Sequence, residues 1–131
     1  MVFNPRNPAF LGAASGGDLT EATGGTITEV GDYRIHTFTT VETTTFSVTK
    51  AAPAPDNVMD VVVVAGGGGG GAGGYSYETG KTLAVADYTV TVGAGGNGQD
   101  GASPNGANGG DSVFDDITSD GGGYAGSIRP S

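Results

Sequence analysis

The chain has 131 residues, enough for one ordinary domain, and 27 of them are glycine, about three times the usual share. Leu, Ile, Val and Phe together number only 25, so the core is thin and help from partner copies is expected. Five basic against 14 acidic side chains give a net charge of −9, with no Lys or Arg between Lys81 and Arg129; this excludes nucleic acid and argues against an anionic membrane surface, and the lack of cysteine excludes disulfides and thiolate metal sites.

In chain order, residues 1–22 come first. They hold Asn4-Pro5 and Asn7-Pro8, one Arg, and no apolar stretch of the kind a secretory leader carries. Proline lacks a donor and holds its preceding residue extended. The segment reads as an extended N-terminal docking arm, with Phe3, Pro5, Pro8, Phe10 and Leu11 as its contact residues; the plainer alternative is a frayed terminus. Residues 23–131 read as a glycine-rich β domain. Gly31-Asp32 marks a turn between strands at 26–30 and 33–39. Phe46 and Val48 alternate with Thr45, Ser47 and Thr49, and period-two patterns rich in Thr, Val and aromatics mean half-buried strands. Pro53 and Pro55 break the chain. Residues 58–65, apolar but for Asp60, are read as a central strand buried on both faces. After Gly66, glycine segments alternate with short strands at 75–77 and 87–92 and a last strand pair within 111–118. No window repeats apolar residues at helical spacing, so the expected class is all-β: an antiparallel β-sandwich, jelly-roll-like, with long glycine-rich loops. The expected core is Ile27, Val30, Tyr33, Ile35, Phe38, Phe46, Val48, Val61 to Val64, Tyr88, Val90, Val92 and Phe114.

Several motifs imitate chemistry. Gly66, Gly68 and Gly71 fit G-x-G-x-x-G, but six consecutive glycines satisfy it trivially, and a strand pattern follows where a helix must hold pyrophosphate. Gly80-Lys81-Thr82 resembles the end of a phosphate loop, yet Tyr75 stands where its first glycine belongs. Residues 95–100 match one turn of a calcium-binding G-G-x-G-x-D repeat that does not recur. Asp100, Asp111, Asp115, Asp116 and Asp120 are the calcium candidates, set against a plain reading as solvated acidic loops. His36, the single histidine, lies in an alternating strand with no catalytic spacing around it. Asp115-Asp116 is not a catalytic carboxylate pair if both lie in a strand, because neighbours there face opposite ways. No catalytic constellation and no cofactor motif is left, and an enzyme is not expected. The glycine run has two physical uses: close packing of side-chain-free segments, including left-handed polyglycine helices bonded through the backbone, or a flexible crossing loop. A mixture is expected.

Four segments in order, ATGGTITEVGDYRIHTFT (22–39), MDVVVVAGGGGGGAGGY (59–75), ADYTVTVGAGGNG (86–98) and NGANGGDSVFDDITSDGGG (105–123), resemble the glycine-rich domain of bacteriophage tail fibres and other virion appendage proteins. The most specific parts are the turn and strand G-x-Y-x-x-H-x-F at 31–38 and the apolar strand running into glycines. The resemblance implies a structural virion protein on the particle exterior or tail: a fibre or appendage component held by its N-terminal arm and contributing to host adsorption, or, alternatively, a capsid decoration protein. It implies other virion proteins as partners, a homo-oligomer (a trimer by analogy with fibres), and a host glycan or receptor as a further partner. Tyr75, Tyr77 and Tyr124, beside the glycine segments, are then candidates to stack on sugar rings; the alternative is that they cap the edges of a thin core.

Overall fold

The computed structural model describes residues 2–5 (backbone), 19–31, 33–99 and 105–126. Among these residues the chain is all-β. Its ten strands are β1 (Val2–Pro5), β2 (Glu21–Thr23), β3 (Thr26–Val30), β4 (Tyr33–Thr37), β5 (Thr43–Lys50), β6 (Val58–Val64), β7 (Tyr75–Thr82), β8 (Ala86–Thr91), β9 (Ser112–Phe114) and β10 (Ile117–Ser119). They form two five-stranded sheets, ordered β3-β4-β1-β6-β7 and β10-β9-β8-β5-β2. β1 with β4, β1 with β6, β2 with β5, β3 with β4 and β9 with β10 all pair antiparallel. The expected all-β class, built of antiparallel sheets, is therefore found among these residues.

The chain divides into two compact units: Met1–Thr39, Thr44–Val62 and Tyr77–Val90 in the first, and Thr40–Thr43, Val63–Ser76 and Thr91–Ser131 in the second. In the first unit, strands of the two sheets pack face to face. The ring of Phe46 on β5 lies 5.0 Å from the imidazole of His36 on β4, edge to face, and 6.3 Å from the ring of Tyr88 on β8. Val48, Met59, Val61, Leu83 and Val90 complete this core. In the second unit, Val63 and Phe114 are fully buried beside the small polar residues Ser112 and Ser119. Ser119 donates to the Val63 carbonyl at 3.0 Å and lies 2.8 Å from Ser76 Oγ, so its burial is compensated.

The structure departs from the sequence reading at three places. Val2–Pro5 is not part of an outward arm. β1 sits between β4 and β6, with Phe3 opposite both His36 and Val61. Its proline falls at the last strand position, past the residues that pair with β4. Glu21–Thr23 likewise pairs with β5, so the 1–22 boundary cuts through strands of the fold. Pro8, Phe10 and Leu11 lie outside the described residues. Second, β6 buries Met59, Val61 and Val63 on one face only, and Val64 is exposed, as in an antiparallel sheet packed on one side. Third, every residue of β3 is exposed, which removes Ile27 and Val30 from the expected core, and Tyr33 at the start of β4 is exposed too.

Candidate functional site

The most distinctive feature of the second unit is what its glycine segments do. Residues 65–74, 93–98, 105–111 and 120–125 contain no strand, yet their backbones bond to one another throughout. Gly66 and Gly69 donate to the carbonyls of Gly110 and Ala107, at 3.0 and 2.9 Å. Gly110 and Ala107 donate to Ala94 and Asn97, both at 2.8 Å. Gly109 and Gly106 donate to Gly122 and Ala125, at 2.8 and 3.3 Å. In each pair the donors are three residues apart and the acceptors run the other way. This is an antiparallel register with a period of three, as expected for extended left-handed helices of three residues per turn. A β-strand bonds two neighbours, because its polar groups point to opposite edges. Segment 105–111 bonds three, because a three-residue turn directs successive groups about 120° apart.

Such packing leaves no room for side chains. A Cβ on Gly66, Gly96 or Gly109 would sit within 3.0 Å of the carbonyl oxygen of Ala94, Ala107 or Gly66 respectively. Gly67, Gly95 and Gly123 face open space or ordinary contact. The glycines are thus divided into an inward set that permits backbone contact and an outward set that does not need to be glycine. Of the two uses left open by the sequence, close packing is the one realised in these segments. The signal was present as G-x-x-G spacing at Gly66/Gly69, Gly93/Gly96 and Gly106/Gly109.

In the first unit, G-x-Y-x-x-H-x-F resolves into a structural knot. Gly31 makes the β3–β4 turn at φ +59°. His36 is completely buried, and its Nδ1 lies 2.9 Å from the Gly24 carbonyl, so Nδ1 carries the proton and donates. Nε2 is then a bare acceptor, with no hydrogen-bond partner among the described residues. Phe38 packs on Phe46, and its ring lies close against Gly24 and Gly25, which turn the chain between β2 and β3 at φ +117° and +64°. The histidine therefore fastens a turn.

Burial holds the His36 imidazole below its ordinary 6.5; the Gly24 bond opposes this and the nearby Arg34 charge adds to it. The folded state favours neutral imidazole, so below about pH 6.5 the unfolded chain binds more protons and stability falls as pH drops toward the folded value. Urea titrations between about pH 7 and 5 are expected to show this loss, and His36→Phe to flatten that part of the profile. An equal slope in the variant would exclude His36 as its source.

The remaining candidates are dispersed. Asp111 accepts from the Gly121 amide at 2.8 Å. Asp115 and Asp116 form the two-residue turn joining β9 to β10, Asp115 at φ +53°, and are not strand neighbours as the sequence suggested. The Asp120 carboxylate is exposed, while its carbonyl accepts from Gly74 at 2.7 Å. Asp100 lies outside the described residues. Among the described residues no group of three or more His, Cys, Asp or Glu side chains is gathered to hold a metal. Tyr75, Tyr77 and Tyr124 are all more than half exposed. Ser76 turns inward to Ser119, which directs Tyr75 outward by strand alternation.

No curated protein and no solved structure matches the chain. A family model described as a glycine-rich domain matches residues 38–131, a span that contains all four bonded glycine segments. The chain belongs to this glycine-rich domain family.

Proposed function

We propose that this protein is a non-enzymatic structural component of a phage particle, part of a tail or other fibre-like appendage that contributes to host adsorption. The observation that carries the reading is the bonded glycine bundle. It gives a rigid shape without an apolar core, because its polar backbone groups satisfy one another. A rigid scaffold of this kind suits a surface part that must hold its form while presenting contacts. Tyr75 and Tyr124 supply exposed aromatic faces for a host glycan. The ordered resemblance of segments 22–39, 59–75, 86–98 and 105–123 to appendage proteins supports the same assignment. Because β1 and β2 are strands of the sheets, residues 1–22 as a whole do not form the attachment arm.

The test is the location and copy number of the chain in purified particles, by labelling and imaging intact virions. A few copies at the tail or neck are expected. A dense array over the head would replace this reading with capsid decoration. Absence from particles would overturn both.

A further inference from the structure

Each sheet has two edges, and exposed edges invite pairing with another chain unless guarded. β2 and β10 have three residues each, and β2 carries a register shift at Glu21/Ala22. β7 carries Glu78 and Lys81 and kinks at Gly80, φ +69°, whose amide is taken by Asp60 Oδ1 at 3.0 Å. β3 has none of these guards. It is five residues long and exposed throughout, with Ile27 at 46% and Val30 at 56%. Its one charge, Glu29, is neutralised by Arg34 on β4 at 2.8 Å.

The unpaired groups of this edge can be identified. β3 and β4 meet across a two-residue turn closed by Val30 and Tyr33. In an antiparallel ladder every second residue exchanges its bonds with the neighbour. Val30, Thr28 and Thr26 therefore bond to β4, and the N–H and C=O of Ile27 and Glu29 point outward. This pattern is complementary to itself. An antiparallel copy centred on Thr28 sets Ile27 opposite Glu29 of the second copy at both ends, giving four backbone hydrogen bonds. It also sets an apolar side chain, not a second carboxylate, against each Glu29.

We infer that β3 is an interface between two copies of this chain, paired edge to edge and antiparallel about Thr28. The pairing closes at two, as an isologous contact must. This stands independently of where the protein acts. It replaces the trimer expected by analogy with fibres. The net charge of −9 opposes association, so the dimer tightens as salt screens it.

Sedimentation equilibrium tests this. The wild-type chain, 12.8 kDa, is expected to form a dimer at concentrations up to about 0.5 mM, more tightly at higher salt. Thr28→Lys and Thr28→Glu each place like charges directly opposite at the axis and are expected to weaken the dimer by about ten-fold or more. Thr28 is exposed, so both variants should fold, checked by circular dichroism. An equimolar mixture of the two is expected to restore the dimer, which misfolded variants would not do. A monomeric or trimeric wild type, unchanged association in the single variants, or a mixture that stays monomeric would each overturn the inference.

Discussion

Gly66→Ala is expected to destabilise the protein by about 3 kcal/mol, whereas Gly67→Ala, one residue along, is expected to be neutral or stabilising by about 0.4–1 kcal/mol. The two positions differ in surroundings and not in backbone class, since neither has a positive φ. A methyl at Gly66 would run into the Ala94 carbonyl, with the Ala94 carbonyl carbon and the Gly95 amide behind it. That contact is backbone against backbone, so no side chain can swing away. Relief requires segment 93–98 to move, which disturbs the bonds from Gly110 to Ala94 and from Gly96 to Gly67. At Gly67 the nearest atom to a new Cβ is the Gly71 oxygen at 3.5 Å, an ordinary contact. Alanine there only reduces the freedom of the unfolded chain. Urea midpoints of the two variants measure the difference. Equal effects at both sites would mean that the segments are loosely held.

Phe46→Ala is expected to cost about 3–5 kcal/mol, a large part of the stability available to a chain with so few large apolar residues. Phe46 is fully buried, and the aromatic contacts of the first unit converge on it: His36 at 5.0 Å, Phe38 at 6.5 Å and Tyr88 at 6.3 Å. Truncation leaves a cavity walled by rings whose positions are set by strands, so little of it can close. Phe46→Leu retains most of the volume and is expected to cost less than the alanine variant. Thermal or urea unfolding reads both. A small loss for Phe46→Ala would show that the core repacks freely around it.

Much of the strand pattern was legible because it rests on local signals. The Gly31-Asp32 turn, the alternation of Phe46 and Val48, and the apolar run of β6 each identify a strand without knowledge of its neighbours. Burial was less legible, because alternation does not say which face is covered. Ile27, Val30 and Tyr33 have the composition of core residues but lie on an edge hairpin, and their β-branched or aromatic character serves strand propensity there instead. His36 and Leu83 are buried because of tertiary position, which a linear pattern does not contain. The place of β1 was hidden for the same reason: a four-residue strand that ends in proline carries no period to recognise.

The glycine segments show a different limit. Their inward and outward sets are fixed by contacts between segments far apart in the chain, such as Gly66 with Gly110 and Gly122. Single-sequence reading yields only the G-x-x-G spacing. A residue without a side chain leaves no polarity to say which way it faces. The likeness to nucleotide and calcium loops has the same origin, since closely packed backbones demand glycine for steric reasons and short motifs then arise by chance.

Amide hydrogen exchange of the isolated chain, resolved by residue, tests the bonded glycine bundle most directly. The amides of Gly66, Gly69, Gly109, Gly110 and Gly122, all donors to backbone carbonyls, are expected to exchange orders of magnitude more slowly than an unstructured peptide. Exchange of these five amides at unstructured rates, while strands β5 and β6 remain protected, would contradict the account.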